Sequence, residues 1–233
     1  MIPNFERALI VGAGDGLSAS LARALAGAGL RIGLAARNVE KLSGLAREIG
    51  AATQPCDAAR PDDIDALFAA MEKGFGAAPD VVIYNASARL RGNLTDLDPS
   101  AVFDAIQVTA YGGFLVAQAA ARRMLAARHG AILFTGASAS VKGYPGSAPF
   151  AMGKFALRGL AQSMARELAP QGIHVAHFVI DGVIRNPGRH EPADAPDSML
   201  DPDAIARTYL HVLQQDRSAW TWEVELRPWV ERF

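Results

Sequence analysis

Ala8-Leu9-Ile10-Val11-Gly12-Ala13-Gly14-Asp15-Gly16-Leu17 decides the fold: an apolar run breaks into alternating glycines and resumes with helical spacing, which reads as strand, tight turn and helix. Leu17, Leu21, Leu25 and Ala28 recur on one helical face, and Gly27-Ala28-Gly29 closes the helix as C-terminal glycines do. In that context Gly12, Gly14, Gly16 and Leu17 suit a dinucleotide. Glycines let the backbone approach a pyrophosphate, and the helix start offers N–H groups and a partial positive charge. A turn that uses glycine for conformation alone would read the same, but the position directly after the first strand favours nucleotide binding.

Outward from that turn, short apolar runs at Ile32–Ala35, Val81–Tyr84, Ala131–Phe134 and Val175–Ile180 read as buried strands of a parallel sheet. Helical patterns over Val39–Ile49, Pro61–Gly74, Pro99–Ala127, Phe150–Ala169 and Pro202–Gln214 alternate with them, which predicts an α/β sheet covered on both faces. Asn186–Pro202, with four prolines and no period, reads as an ordered surface loop or mobile lid rather than a domain boundary, so residues 1–233 are expected to form a single domain. Trp220–Leu226 alternates enough to be a last strand on the sheet edge.

The chain has 233 residues and is 50% apolar, ample for a core, and its formal charge of -1 predicts no general attraction to nucleic acid or anionic membrane. A lone cysteine, Cys56, rules out an intramolecular disulfide, and Met1–Arg7 has no apolar signal core; both point to the cytoplasm. No uninterrupted apolar run reaches the roughly 18 residues of a membrane span.

At the end of the second strand, Ala35-Ala36-Arg37-Asn38 lacks the carboxylate that would hold ribose hydroxyls and repel a 2′-phosphate. Arg37 favours NADP(H) over NAD(H), because a guanidinium makes charge-assisted hydrogen bonds to phosphate; a solvated arginine is the plainer alternative. Asp57, closing the third strand after Cys56, either accepts from the adenine amino group or caps the next helix.

Four segments in register resemble the short-chain dehydrogenase/reductase family. Val11–Ser18 is similar to its Thr-Gly-x-x-x-Gly-x-Gly turn, with Ser18 at the last glycine, and Tyr84-Asn85-Ala86-Ser87 is similar to its Asn-Asn-Ala-Gly element. Phe150–Lys154 resembles the Tyr-x-x-x-Lys catalytic helix, and Asp181–Asn186 resembles the Pro-Gly-x-x-x-Thr segment that holds the nicotinamide amide. The resemblance implies a Rossmann-type three-layer αβα sandwich with a seven-stranded parallel sheet in the order 3-2-1-4-5-6-7. It also implies a cofactor across the carboxyl ends of the strands, bordered by Asn85, Ala86, Gly182 and Ile184, with Lys154 on the nicotinamide-ribose hydroxyls. A small-molecule substrate and a homodimer or homotetramer, built partly on Pro99–Ala127, follow from it too.

The chain departs from the family where the protons move. Phe150 stands at the tyrosine and has no proton to donate, Ala137 falls at the substrate-binding serine, and Thr109 at the relay asparagine, with Gln107 as the neighbouring candidate. Lys154 is the one matching member of the four. Replacement groups are Asp181, as donor or as partner of Lys154, or else a plain Asp-Gly turn; Tyr144 in the loop before the catalytic helix, or else a packing contact; and Ser138, or else a local cap.

His174 and His177, three apart on one strand, face opposite sides and with no ligand cluster make a metal site a poor reading. His190, with Arg189 and Glu191, reads as solvated loop or as a substrate contact on closure. Trp220, Trp222, Trp229 and Phe233 suggest burial against a neighbouring subunit or in the core. Two functions stay open: an NAD(P)-dependent oxidoreductase with an atypical acid–base site, including hydride transfer to an activated double bond, and a non-catalytic NADP-binding sensor or scaffold.

Overall fold

A computed structural model describes residues 4–231. Its main sheet has seven parallel strands: β1 (Arg7–Val11), β2 (Arg31–Ala36), β3 (Ala52–Pro55), β4 (Val81–Tyr84), β5 (Gly130–Thr135), β6 (Ile173–Ile180) and the last strand in the chain, Glu223–Leu226. Their order in space is β3-β2-β1-β4-β5-β6 and then Glu223–Leu226, the expected 3-2-1-4-5-6-7. β4, β5 and β6 are buried at every residue because helices cover both faces, so they read as continuous apolar runs rather than as an alternation.

One face packs on α1 (Leu17–Gly27), α2 (Ser43–Ile49) and α7 (Pro202–Leu213) through residues such as Leu21, Leu25, Ile205 and Tyr209. The other packs on α3 (Pro61–Phe75), α5 (Gly112–Ala127) and α6 (Ala148–Leu168) through Phe68, Val116 and Leu157. Pro99–Ala127 is by length and composition apolar enough to cross a membrane. Its Val116, Ala117 and Ala120 are nevertheless buried in the core.

Several expected boundaries shift. The helix expected over Val39–Ile49 begins as a 3-10 turn, entered where Asn38 Oδ1 accepts from Glu40 N at 3.0 Å. The long helix consists of α4 (Pro99–Ile106), a π turn over Gln107–Tyr111 and then α5, and Tyr84 donates its hydroxyl proton to Val108 O in the π turn. The last strand starts at Glu223, not Trp220, because Thr221 N is taken by Gln215 Oε1 at 2.9 Å. Asn186–Pro202 is not all loop: β7 (Val183–Ile184) pairs in parallel with β8 (Met199–Leu200), and Asn186 and Arg189 form a bridge.

Candidate functional site

The turn after β1 is built by close approach. Gly12 has φ +84, and a Cβ there would lie 2.3 Å from Ala86 N, so only glycine lets β1 run on beside the end of β4. Gly12 N and Ala13 N both donate to Ala35 O at 2.9 Å. Ser18, at the last-glycine position, is buried and donates to Gly12 O at 3.2 Å. Asn85 Nδ2 donates to Ser18 Oγ at 2.7 Å, locking the end of β4 to the turn. Gly16 opens α1 with no side-chain cap and no acidic residue in the first turn, which leaves the helix start to an anion.

Three cavities lie in a row along the carboxyl ends of the strands. The first, about 340 Å³, runs beside Gly12 and Ala13 and is bordered by Arg37, Lys41, Asp57, Asn85 and Ala86. Arg37 has no hydrogen bond or ion pair among the described residues, and Lys41, which sequence reading missed, stands beside it. Asp57 Oδ1 accepts from Ala59 N at 3.0 Å in the turn before α3, whose N-cap is Arg60 with no side-chain cap, so Asp57 does not cap the helix as the alternative expectation had it; the residue borders the cavity. Burial first, then Asp63 and Asp57, push the Cys56 thiol up to about 12.

The middle cavity, about 230 Å³, is bordered by Gly16, Leu17, Asn85, Lys154, Phe150, Gly182 and Ile184. Lys154 is buried and donates to Thr135 O at 2.6 Å; Thr135 Oγ1 is held in turn by the Tyr209 hydroxyl at 2.8 Å. Burial, with Arg89 adding repulsion, lowers the Lys154 pKa to about 7. Two cations lie over the Phe150 ring, Arg89 Cζ at 4.9 Å and Lys154 Nζ at 5.8 Å from its centroid. Ala137 borders the cavity where an oxyanion donor would be, and its N–H is taken by Ser140 Oγ at 3.2 Å. Thr109 accepts from Ala88 N at 3.1 Å and packs on Gly153 of α6, so its hydroxyl is used structurally.

The third cavity, about 450 Å³, is bordered by Ser138, Tyr144, Asp181, Arg89 and Arg91. Neither Ser138 Oγ nor the Tyr144 hydroxyl is hydrogen-bonded among the described residues; Ser140, not Ser138, supplies the local cap. Asp181 is paired with Lys142 Nζ at 2.8 Å, so its partner is not Lys154, which is committed to Thr135. An ion pair 39 residues apart in the chain leaves no local signal.

Behind the middle cavity, Arg158 makes two hydrogen bonds to Glu223, at 2.6 and 2.7 Å, and His177 Nδ1 lies 3.1 Å from Glu223 Oε2. Burial lowers the His177 pKa to about 4, outweighing Glu223, so the imidazole is neutral and structural. His174 stacks on Trp220 with centroids 4.5 Å apart, and Trp222 lies under Arg158. Trp229 is 82% exposed and donates to Asp197, whereas Phe233 lies outside the described residues. Sequence reading also missed Arg89 and Arg91, whose loop has no periodicity; the signal was two arginines directly after the Asn85–Ser87 element.

Residues 6–194 match a family model described as short chain dehydrogenase. An uncharacterized oxidoreductase of Staphylococcus aureus strain N315 is 27% identical over 227 residues, covering 95% of this chain and 96% of its own. A short-chain dehydrogenase from Rhodopseudomonas palustris superposes with a TM-score of 0.82 at 36% identity over 97% of this chain and all of its own. A metagenomic short-chain oxidoreductase in complex with NADP gives 0.82 at 28% identity, over 96% and 97% of the two chains.

Proposed function

The chain belongs to the short-chain dehydrogenase family, and we propose that it is an NADP(H)-dependent oxidoreductase that has kept the nucleotide site and rebuilt the proton chemistry. One observation carries this reading: buried Lys154 borders the same cavity as Gly16 and Leu17 of the glycine turn, with Phe150 and Ala137 beside it where a proton donor and an oxyanion donor would stand.

A reduced nicotinamide, when bound, supplies a hydride equivalent. Gly14, Gly16 and Leu17 would receive the pyrophosphate on backbone N–H groups, Gly12, its own N–H taken by Ala35 O, would let the chain pass close to it, and Arg37 with Lys41 would receive the 2′-phosphate. Asp57 would accept from the adenine amino group, Asn85 and Ala86 would hold the turn beneath the cofactor, and Gly182 and Ile184 would hold the carboxamide. Lys154 holds the nicotinamide-ribose hydroxyls. The metagenomic relative's NADP supports the phosphate assignment.

Lys154 also holds a proton on Nζ below about pH 7, close to where a general acid works at neutral pH. Ser138 and Tyr144 offer O–H donors on the outer side, whereas Asp181 positions Lys142. Such a site suits a substrate whose reacting carbon is already activated, an electron-poor carbonyl or double bond. Exposed Phe103, Tyr111 and Phe114 on the Pro99–Ala127 helix, with Met152 and Phe155 on α6, support a homodimer or homotetramer through these faces.

Calorimetry with NADPH and NADH tests the reading. NADPH should bind about tenfold or more tightly than NADH, and Arg37→Glu should abolish that preference. Binding of neither nucleotide would overturn it.

A further inference from the structure

The middle and outer cavities share a border made by Arg89, Ala137, Phe150, Gly182 and Val183, so Arg89 stands where the nicotinamide end of the groove meets the space left for substrate. Its guanidinium lies against the Phe150 ring and has no hydrogen bond or ion pair among the described residues. Arg91, two residues on, borders the outer cavity and is equally without a partner there. Of the neighbouring cations, Lys142 is committed to Asp181 at 2.8 Å, Arg185 to Asp201 at 3.3 Å and Lys154 to Thr135 O, whereas Arg189, which borders the middle cavity, has no side-chain partner among the described residues.

Of the carboxylates bordering the outer cavity, Asp181 is taken by Lys142, and Glu231 stands on the exposed tail with no side-chain bond to either arginine. Arg89 is exposed toward the cavities, yet the protein around its head lowers its pKa by burial, and Arg189 and Arg91 add like-charge repulsion. Fixed like charges converging on a cavity are costly unless an anion joins them. Gly16, where the nucleotide's own phosphates belong, borders the middle cavity with Arg89, whereas Arg91 borders only the outer cavity, so the arginine pair as a unit faces the substrate space.

We infer that Arg89, with Arg91, is an anion-recognition site for the substrate, so that the compound oxidised or reduced here bears a carboxylate or phosphate close to its reacting carbon. A planar guanidinium matches either group with paired N–H donors. Phe150 gives Arg89 a ring face to pack on. The inference rests on the oxidoreductase reading above and adds the substrate class.

Two matched pairs of probes test it by calorimetry, on the free protein and on its NADPH complex: phenylglyoxylate against its methyl ester, and dihydroxyacetone phosphate against dihydroxyacetone. At least one anion should bind about 10- to 100-fold more tightly than its neutral partner, and the arm that responds tells carboxylate from phosphate. Arg89→Gln and Arg91→Gln should each remove most of that difference while NADPH affinity stays within about threefold, which also reports intact folding. Equal affinities in both pairs, a preference that survives both substitutions, or NADPH affinity lost along with the preference would overturn the assignment. Absence of NADPH binding by the unaltered protein would defeat the oxidoreductase reading instead; the anion pairs on the free protein still decide this one.

Discussion

The two ends of the groove have been treated differently. At the glycine turn the substitution of Ser18 for glycine is absorbed, because recognition there uses backbone N–H groups and Ser18 turns inward onto Gly12 O and Asn85. Around Phe150 neither Phe150 nor Ala137 carries a hydroxyl, the Thr109 hydroxyl is taken by Ala88 N, and two cations lie near the Phe150 ring. Recognition by backbone tolerates a change of side chain provided the chain path survives, whereas proton transfer depends on one atom in one place.

The largest effect is expected at the glycine turn. Gly12→Val should cost about 4 kcal/mol of stability, from positive φ and from collision with Ala86, and abolish NADPH binding, as read by thermal unfolding with and without nucleotide. At the rebuilt end the expected effect is a gain. Phe150→Tyr combined with Ala137→Ser should raise reduction of an unactivated ketone by about 10²-fold, and Phe150→Tyr alone by less, in steady-state assays. No gain in the double variant would mean that the ends are not separable.

The smallest effect is a pH dependence. Lys154, brought from 10.5 to about 7 in the folded chain, binds fewer protons there than when unfolded between those values. Stability of the nucleotide-free protein should therefore rise with pH from about 7 to about 10.5. Lys154→Met should flatten that slope in denaturant titrations.

Much of this contrast was legible before any coordinates. Buried parallel strands leave uninterrupted apolar runs, so β1, β2, β4, β5 and β6 stood out, and the turn, Lys154 and Phe150 lie in local patterns. What the sequence hid depends on distance. The Lys142–Asp181 pair joins a loop to the end of β6, and Arg89 owes its significance to a ring 61 positions later. Short β8 was lost because two residues make no period, and Trp220–Trp222 resembled strand because rings packed on His174 and Arg158 alternate much as strand residues do.

The chemistry proposed for this protein turns on hydride still moving in a site without a tyrosine beside Lys154. Single-turnover oxidation of NADPH by excess protein, with an activated carbonyl and an activated alkene as acceptors, addresses it most directly. Reduced-nicotinamide absorbance should fall with at least one acceptor, at a rate that decreases as pH rises through about 7. NADPH bound tightly and left fully reduced by every acceptor would contradict it and leave a protein that holds the nucleotide without using it.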